Sequence, residues 1–350
     1  MTILIAILGL SFLIVVHEAG HMLAARAMGV HVKEYAVGFG QPILRKKIGK
    51  THYSLRWILF GGFVRMKGMD DGEAGPDSYS SKPPWRRAFI IFAGPLANLV
   101  AAVLIAFAFF ALAPAPVPRA EVAEVSPNSM AEEVGIRPGD ELIAVDGERI
   151  EGWEGFVSAV AQRSPGEEVT VVVERGGREL EFSGTLTASP EDPDRPLVGV
   201  SPVTVQERLP VSEALARAVQ FNVAILLALG DFIGQIITGE QSFRENVAGP
   251  VGIVTITGES VQQGFFFLLL AFISLQLAIF NLLPFLPLDG GHLLFIAAEK
   301  VRGRPVSRET MGKIGFIGFA VLILFVIFVT VGDVGRLISG EPLIPEQPPE

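Results

Sequence analysis

The chain has 350 residues, of which half are hydrophobic and only 19% are charged, and it carries a formal net charge of −9 at pH 7. With a mean hydropathy of +0.47, this composition excludes a wholly soluble or disordered protein, and the acidic balance argues against a nucleic acid as the main partner. The chain contains no cysteine, which excludes a disulfide scaffold and a zinc site built on thiolates.

Four apolar segments are long enough to cross a bilayer, because about 20 helical residues span its hydrocarbon core of about 30 Å. We predict transmembrane helices at about residues 2–28, 88–113, 264–288 and 314–332. A cleaved signal peptide is the alternative for the first segment. However, that segment lacks a basic start, and the polar residues His17 to His21 interrupt it.

The regions between these segments differ in charge. Residues 26–87 contain 12 Lys or Arg against 5 Asp or Glu, and residues 292–313 contain 5 against 2. Residues 114–210 contain 8 against 19. Because loops rich in Lys and Arg stay in the cytoplasm, we expect the two basic regions inside, and the acidic region with both termini outside.

The cytoplasmic region 32–68 is rich in β-prone residues flanked by glycines, which predicts a β-hairpin. An open sheet edge near the membrane could receive an extended substrate, so we take four residues of its second half as candidates for substrate binding. They are Tyr53, Leu55, Trp57 and Gly61. A purely structural flap is the alternative.

Residues 114–205 have the composition of a soluble domain, and a hairpin is predicted around Gly176-Gly177. Upstream, residues 126–147 contain Ala-x-x-x-Gly-Ile, Pro-Gly-Asp and Val-Asp-Gly at spacings that resemble PDZ domains of bacterial proteases. Such domains bind a peptide C-terminus by adding a strand to a sheet edge. A spacer is the alternative.

Residues 206–262 follow as a helical segment. It begins amphipathic at Val211 and becomes apolar, but it carries Asn222, Asp231 and Gln235. We therefore predict a helix at the outer membrane interface rather than a further span. A fifth crossing is the alternative, and it would reverse the direction of the next span.

His17-Glu18-Ala19-Gly20-His21 is an H-E-x-x-H motif inside the first apolar segment. Residues four apart share one helical face, so two neutral imidazoles can hold one Zn²⁺ ion while Glu18 takes a proton from a water bound to it. Ionisable side chains at membrane depth are costly unless they serve a function. A polar cluster that only joins helices is the alternative.

A zinc site of this type needs a third protein ligand. Asp289 is the only acidic residue of the third segment, and the two prolines and two glycines around it predict an interrupted helix. We predict Asp289 as the third ligand, with His292 as the weaker candidate. Asn281 could hydrogen-bond the substrate or the oxyanion formed during attack, or join two helices. Buried Asn98 could contact the substrate or the metal site, or serve packing alone.

These motifs together resemble the bacterial site-2 proteases of the RseP type, which are intramembrane zinc metalloproteases. The resemblance rests on H-E-x-x-H, Gly94-Pro95-x-x-Asn98, the PDZ-like domain, Gly249-Pro250 with Gly252-Ile253, and Asn281 to Gly290. It implies one zinc ion per chain bound by His17, His21 and Asp289, with Glu18 as catalytic base and Asn281 as support for the substrate or transition state. The chain departs from the family pattern at Pro287, which comes one residue later than the usual second proline, and it has one PDZ-like domain where some relatives carry two.

The predicted fold is a polytopic α-helical membrane protein with four transmembrane helices, a membrane-associated β-hairpin and an inserted extracytoplasmic PDZ-like α/β domain. The membrane halves are residues 1–113 and 263–350. The resemblance implies an endopeptidase of the bacterial inner membrane that cleaves transmembrane segments of single-pass proteins already shortened by another protease, such as anti-sigma factors or signal-peptide remnants. The alternatives are a non-enzymatic membrane adaptor and a metal or proton transporter.

Overall fold

The computed structural model describes residues 2–69, 72–190, 192–241, 249–304 and 306–339. The parts of the predicted segments that fall on residues 242–248 and 340–350 lie outside the described residues. The chain divides into two compact units, Met1–Phe109 with Ser212–Glu350, and Phe110–Val211.

The helices are α1 (Thr2–Ala27), α2 (Pro84–Leu112), α3 (Met130–Val134), α4 (Gly152–Ala161), α5 (Val211–Thr238), α6 (Pro250–Gln262), α7 (Phe266–Asn281), α8 (Asp289–Arg302) and α9 (Arg308–Ser339). The strands are β1 (Val32–Ile48), β2 (Thr51–Met66), β3 (Ala115–Val125), β4 (Glu141–Val145), β5 (Glu148–Arg149), β6 (Glu168–Arg175), β7 (Arg178–Thr185), β8 (Thr187–Ala188), β9 (Pro196–Leu197) and β10 (Val200–Glu207).

Four described helices are long and apolar enough to cross a membrane: Thr2–Ala27, Pro84–Leu112, Val211–Thr238 and Glu309–Ser339. Three of them overlap predicted transmembrane segments. The third of the four, in α5, has the length and hydropathy of a span although the sequence predicted an interfacial helix. The predicted segment 264–288 is helical only over the 16 residues of α7, about 24 Å of helix, because the helix ends ahead of Pro284. These apolar helices make the chain an integral membrane protein.

The hairpin of β1 and β2 folds back on itself into four adjacent strand segments. Residues 34–37 pair with 62–65 on one side and with 52–55 on the other, and residues 44–48 pair with 51–55. The bends contain Gly38 and Gly61, whose φ angles of 87° and 115° disfavour residues with a Cβ. Segment 62–65 therefore forms one edge of the sheet, and segment 44–48 forms the other.

The hairpin packs against α1. The Tyr35 hydroxyl donates to the Val15 carbonyl at 2.7 Å, and the Ser11 hydroxyl donates to the Leu59 carbonyl. Burial raises the pKa of Tyr35 to about 12, so the hydroxyl stays protonated and remains a donor. These bonds hold the hairpin alongside the helix that carries the H-E-x-x-H motif.

The second unit is built on a sheet with the order β10-β3-β4-β6-β7, in which β5 pairs with β4. Val169, Val171 and Val173 alternate along β6 and are at most 1% exposed, as expected for one face of a strand buried in a core. The core also contains residues of α3 and α4, among them Met130 and Phe156.

Asp140, in the Pro-Gly-Asp string, connects the turn before β4 to β6. Its carboxylate accepts hydrogen bonds from Arg175 Nε and Nη2 at 2.6 and 2.7 Å and from the Arg137 backbone N–H at 2.8 Å. Burial alone would raise the pKa of the Asp140 carboxyl, but these hydrogen bonds hold that pKa below its ordinary value. The motif that resembles PDZ domains is thus a buried, hydrogen-bonded turn.

Candidate active site

Helix α1 presents both histidines of the H-E-x-x-H motif on one face, as their spacing predicts. His17 is 8% exposed and His21 is 6% exposed. Their Nε2 atoms lie 3.1 Å apart. The two imidazoles therefore point at a common position.

Asp289 reaches this position because the chain reverses after α7. That helix ends at Asn281, and residues 282–288 turn back so that α8 begins at Asp289. The reversal is tight, since a Cβ on Gly290 would lie 2.2 Å from the Leu282 carbonyl oxygen. The interrupted helix predicted from the prolines and glycines is confirmed, and it brings the carboxylate to α1.

The three side chains place their donor atoms at the spacing of metal ligands. Asp289 Oδ2 lies 3.0 Å from His17 Nε2 and 3.3 Å from His21 Nε2. Two ligands that are 2.0–2.1 Å from a tetrahedral Zn²⁺ ion are about 3.3 Å apart. Among the described residues, these three form the group of His, Cys, Asp and Glu side chains whose donor atoms converge in this way.

The outer nitrogens of both rings have partners that fix the ring orientation. His21 Nδ1 lies 2.9 Å from the Ile90 carbonyl oxygen, which can only accept, so Nδ1 carries the proton and Nε2 presents a lone pair. Asp289 Oδ2 is buried and accepts no hydrogen bond from the described residues. Lone pairs that face one another with no hydrogen between them repel unless a cation lies between them. Imidazole nitrogen and carboxylate oxygen are ligand atoms that suit Zn²⁺.

Asn98 contacts the other ring. It is fully buried, and its side-chain Nδ2 lies 3.3 Å from His17 Nδ1, while Oδ1 has no hydrogen bond from the described residues. The two orientations of an amide have nearly the same shape. Turning the amide by 180° places Oδ1 opposite His17 Nδ1, gives the buried oxygen a donor and leaves Nε2 of His17 free to bind a metal.

Glycines allow α2 to approach the histidines. A Cβ on Gly94 would lie 2.3 Å from His21 Nε2 and 2.9 Å from His17 Cε1. A Cβ on Gly20 would lie 2.2 Å from the Ala93 carbonyl oxygen. The Gly94 motif therefore lets α1 and α2 pack closely, and the α2 backbone at Gly94 directly contacts the two imidazole rings.

Glu18 lies beside the edge segment of the hairpin. A Cβ on Gly62 would lie 3.5 Å from Glu18 Cγ and 2.9 Å from the Ala36 carbonyl oxygen. The carboxylate next to the two histidines is therefore adjacent to a sheet edge. An extended peptide placed along that edge would pass close to the converging donor atoms.

The predicted hairpin residues fall into two groups. The backbones of Tyr53 and Leu55 are paired with neighbouring segments on both sides. Tyr53, for example, is paired with Tyr35 on one side and with Lys46 on the other. Neither residue can therefore receive an added strand. This corrects the expectation that this part of the sheet is open, because the hairpin folds over it. Trp57 is 71% exposed, and Gly61 lies next to the edge segment.

Two other candidates are not among the three converging donor groups. Asn281 uses its Nδ2 to donate to the Leu277 carbonyl at 2.9 Å, within its own helix. His292 follows Asp289 by three residues in α8 and is not a member of the converging group in the described structure.

Sequence reasoning missed a contact that supports α8. Arg87 of α2 donates two hydrogen bonds to the Glu299 carboxylate, at 2.6 and 3.0 Å, and both side chains are less than one fifth exposed. The two residues are 212 positions apart in sequence, and each resembles an ordinary membrane-flanking charge. Their pairing has no local signal.

An H-E-x-x-H helix and a distant carboxylate that meet among apolar helices define a membrane-embedded metalloenzyme. Residues 5–325 match the family model described as Peptidase family M50, and the chain belongs to this family. The prediction of a zinc metalloprotease is thereby confirmed, and the converging donor atoms fit that metal.

Several relatives align over nearly their whole length. A Clostridium perfringens protein, whose name describes it as a candidate zinc metalloprotease, is 34% identical over 341 residues, covering 95% of this chain and 98% of that protein. Zinc metalloprotease RasP of Geobacillus kaustophilus is 30% identical over 407 residues, and the alignment covers 93% of this chain and 95% of that protein. The regulator of sigma-W protease RasP of Bacillus subtilis is 28% identical over 419 residues, covering 96% and 99%.

Among solved structures, the PDZ domain of an SdrC-like protein from Listeria monocytogenes is similar to part of the chain. It is 20% identical and covers 25% of this chain and 90% of that chain, with a TM-score of 0.22.

Proposed function

We propose that the chain is an intramembrane zinc endopeptidase in which His17, His21 and Asp289 bind the metal and Glu18 is the general base. The observation that carries this proposal is the convergence of three donor atoms, 3.0 to 3.3 Å apart, between apolar helices. When bound, zinc supplies Lewis acidity that polarises the scissile carbonyl and lowers the pKa of water. Glu18 accepts the proton of the attacking water and passes it to the leaving amine.

The substrate is held in extended form along the edge segment of β2. A helical peptide hides its carbonyl carbons, so a transmembrane substrate has to unwind before it is cut. The edge next to Gly61 and Gly62 offers main-chain hydrogen bonds to such a strand beside Glu18. Asn281 supports the substrate or the transition state, and Asn98 orients His17.

The substrates are transmembrane segments of single-pass proteins that another protease has already shortened. The name of the Bacillus subtilis relative refers to regulation of sigma-W, which supports anti-sigma factors as one class. The PDZ-like unit binds the newly exposed C-terminus at an edge of its sheet, whose outer strands are β7 and β10.

The chain lies in the inner membrane of a bacterium, with the PDZ-like unit and both termini outside. The distribution of Lys and Arg supports this orientation. The absence of native cysteine permits a direct test by single substitutions at exposed sites, Lys46→Cys, Glu179→Cys and Arg302→Cys. We expect an impermeant thiol reagent to label only the variant at Glu179 in intact cells. Labelling at Arg302 would show that α5 crosses the membrane and would reverse this part of the topology.

The catalytic proposal is tested by measuring zinc content and cleavage of a model transmembrane substrate with Glu18→Gln. We expect a loss of at least about 10²-fold in cleavage with one zinc retained per chain, because this substitution leaves the three ligands in place. Glu309→Gln, an exposed residue of α9 paired with Lys313, is the matched control and keeps full activity. Equal cleavage by the wild type and Glu18→Gln would leave the adaptor as the better description, whereas zinc flux in proteoliposomes would favour the transporter.

A further inference from the structure

The hairpin sheet has one face that the proposed catalysis does not use. Directly paired residues share a face of a sheet, and Lys47, His52, Glu34 and Arg65 are neighbours across its four strand segments. Tyr35, next to Glu34 in sequence, points to the opposite face, which contacts α1. The sheet is thus apolar and aromatic towards α1 and strongly basic on its other side.

This basic face is concave. It forms a cavity of about 440 Å³, which we term the basic cavity. The lining residues are His31, Lys33, Glu34, Arg45, Lys47, Lys50, His52 and Arg65. Five cationic side chains therefore oppose one carboxylate, a surplus of four positive charges with the histidines neutral, in a chain whose net charge is −9.

The single carboxylate of the cavity is already engaged. Glu34 accepts hydrogen bonds from Arg56 at 2.7 Å and from the Ser54 hydroxyl at 2.9 Å. Burial opposes ionisation of Glu34, but these hydrogen bonds lower its pKa, so it remains ionised. Its charge is largely matched by Arg56, which lies outside the lining of the cavity.

Three cations of the cavity have no acidic partner in the described part of the chain. Lys33 forms an ion pair with Glu73, and Arg65 is 3.7 Å from Glu34, whereas no salt bridge involves Arg45, Lys47 or Lys50 among the described residues. Like charges gathered in a concave surface repel one another. An anion with several oxygen acceptors would remove this repulsion.

The surroundings of the cavity match a lipid headgroup better than a free anion. Its first lining residue, His31, follows the end of α1 by four residues, so the cavity lies immediately beyond a membrane helix. The same hairpin exposes Trp57 at 71% and Ile58 at 57%, outside the lining of the cavity. Aromatic and aliphatic side chains beside clustered Lys and Arg are typical of protein surfaces that contact anionic lipids.

We propose that the basic cavity binds the phosphate headgroup of an anionic phospholipid. Arg45, Lys47 and Lys50 would donate hydrogen bonds to the phosphate oxygens, and the exposed apolar side chains would contact the acyl region. This binding is independent of the proposed catalytic residues, which lie on and beside the opposite face of the sheet.

The test uses the purified full chain in a zwitterionic detergent, titrated with dioctanoyl phosphatidylglycerol, dioctanoyl phosphatidylcholine or inorganic phosphate, with bound lipid counted by native mass spectrometry. We expect saturable binding of phosphatidylglycerol at one site and at least about tenfold weaker binding of the other two. Equal binding of phosphatidylcholine, or inorganic phosphate that displaces the lipid at equal concentration, would overturn the proposal without the need for any variant.

Two triple variants locate the site. The first changes Arg45, Lys47 and Lys50 to Gln, and we expect it to weaken phosphatidylglycerol binding at least about tenfold, because it removes three positive charges that face the lipid phosphate. The matched control changes Lys46, Lys300 and Arg302 to Gln, which removes the same charge outside the cavity, and it retains wild-type binding. An equal loss in both variants would show general charge attraction and would overturn the assignment to the cavity.

Discussion

Gly94 lies against His21 so closely that the α2 backbone forms one wall of the proposed metal site, because a Cβ at residue 94 would be 2.3 Å from His21 Nε2. Helices can approach this closely only where one of them has no side chain. The Gly94-Pro95-x-x-Asn98 string of α2 and the H-E-x-x-H string of α1 therefore form a single structural unit.

We expect Gly94→Ala to abolish zinc binding. The added methyl group has to displace His21 or α2 by about 1 Å, whereas metal ligands tolerate about 0.2 Å. Zinc content, measured by mass spectrometry of the purified protein, should fall below about one tenth of an equivalent, and cleavage should fall at least about 10²-fold. Gly315→Ala in α9 is the control, because no atom lies within 4 Å of its added Cβ. Full zinc occupancy in Gly94→Ala would contradict the observed packing.

Asn98 offers a test of how His17 is held. If its amide oxygen accepts the Nδ1 proton of His17, then Asn98→Leu removes the acceptor and should weaken zinc binding about 10- to 100-fold. Asn98→Asp keeps an acceptor oxygen and should retain most of the affinity. The measurement is competition with a chelator of known zinc affinity. Equal losses in the two variants would indicate that Asn98 serves packing alone.

The Arg87–Glu299 pair holds α8, which begins at Asp289, against α2. Removing one partner of a largely buried ion pair leaves an uncompensated charge. We expect Arg87→Ala to lower the free energy of unfolding by about 2 kcal/mol and to release zinc more readily. The exchange Arg87→Glu with Glu299→Arg should recover much of the thermal stability lost in either single charge reversal. A double variant that is less stable than both single variants would show that the contact contributes little.

Local sequence patterns were sufficient to predict those features of the candidate site that lie within one helix or turn. The spacing of His17 and His21 predicted their shared helical face, and the prolines around Asp289 predicted the break that delivers its carboxylate. These predictions succeed because helical periodicity and proline geometry act over a few residues.

Contacts between distant segments could not be predicted in this way. The pairing of Tyr53 and Leu55 on both sides depends on how the hairpin bends at Gly38 and Gly61, which alternation of residue types does not specify. The polar residues of α5 pointed to an interface, yet its length and overall hydropathy meet the requirement for a span.

Asp140 predicts how the second unit responds to acid. The pKa of the Asp140 carboxyl is lower in the folded state than in the unfolded chain, where it is about 3.9. Ionised Asp140 therefore stabilises the fold fully above the unfolded-state pKa. This stabilisation is lost as the pH falls through the lower pKa of the folded state. Hydrogen exchange of the β4 and β6 amides in the full chain should therefore accelerate below about pH 4. Asp140→Asn, which leaves Arg175 without its carboxylate, should lower the stability of the unit by about 3 kcal/mol at neutral pH. Asp140→Asn should also remove most of the acid dependence of the exchange rate. Asp194→Asn, at a site exposed to solvent, is the control and should change neither the stability nor its acid dependence. If the acid dependence persisted in Asp140→Asn, other carboxylates would be its cause.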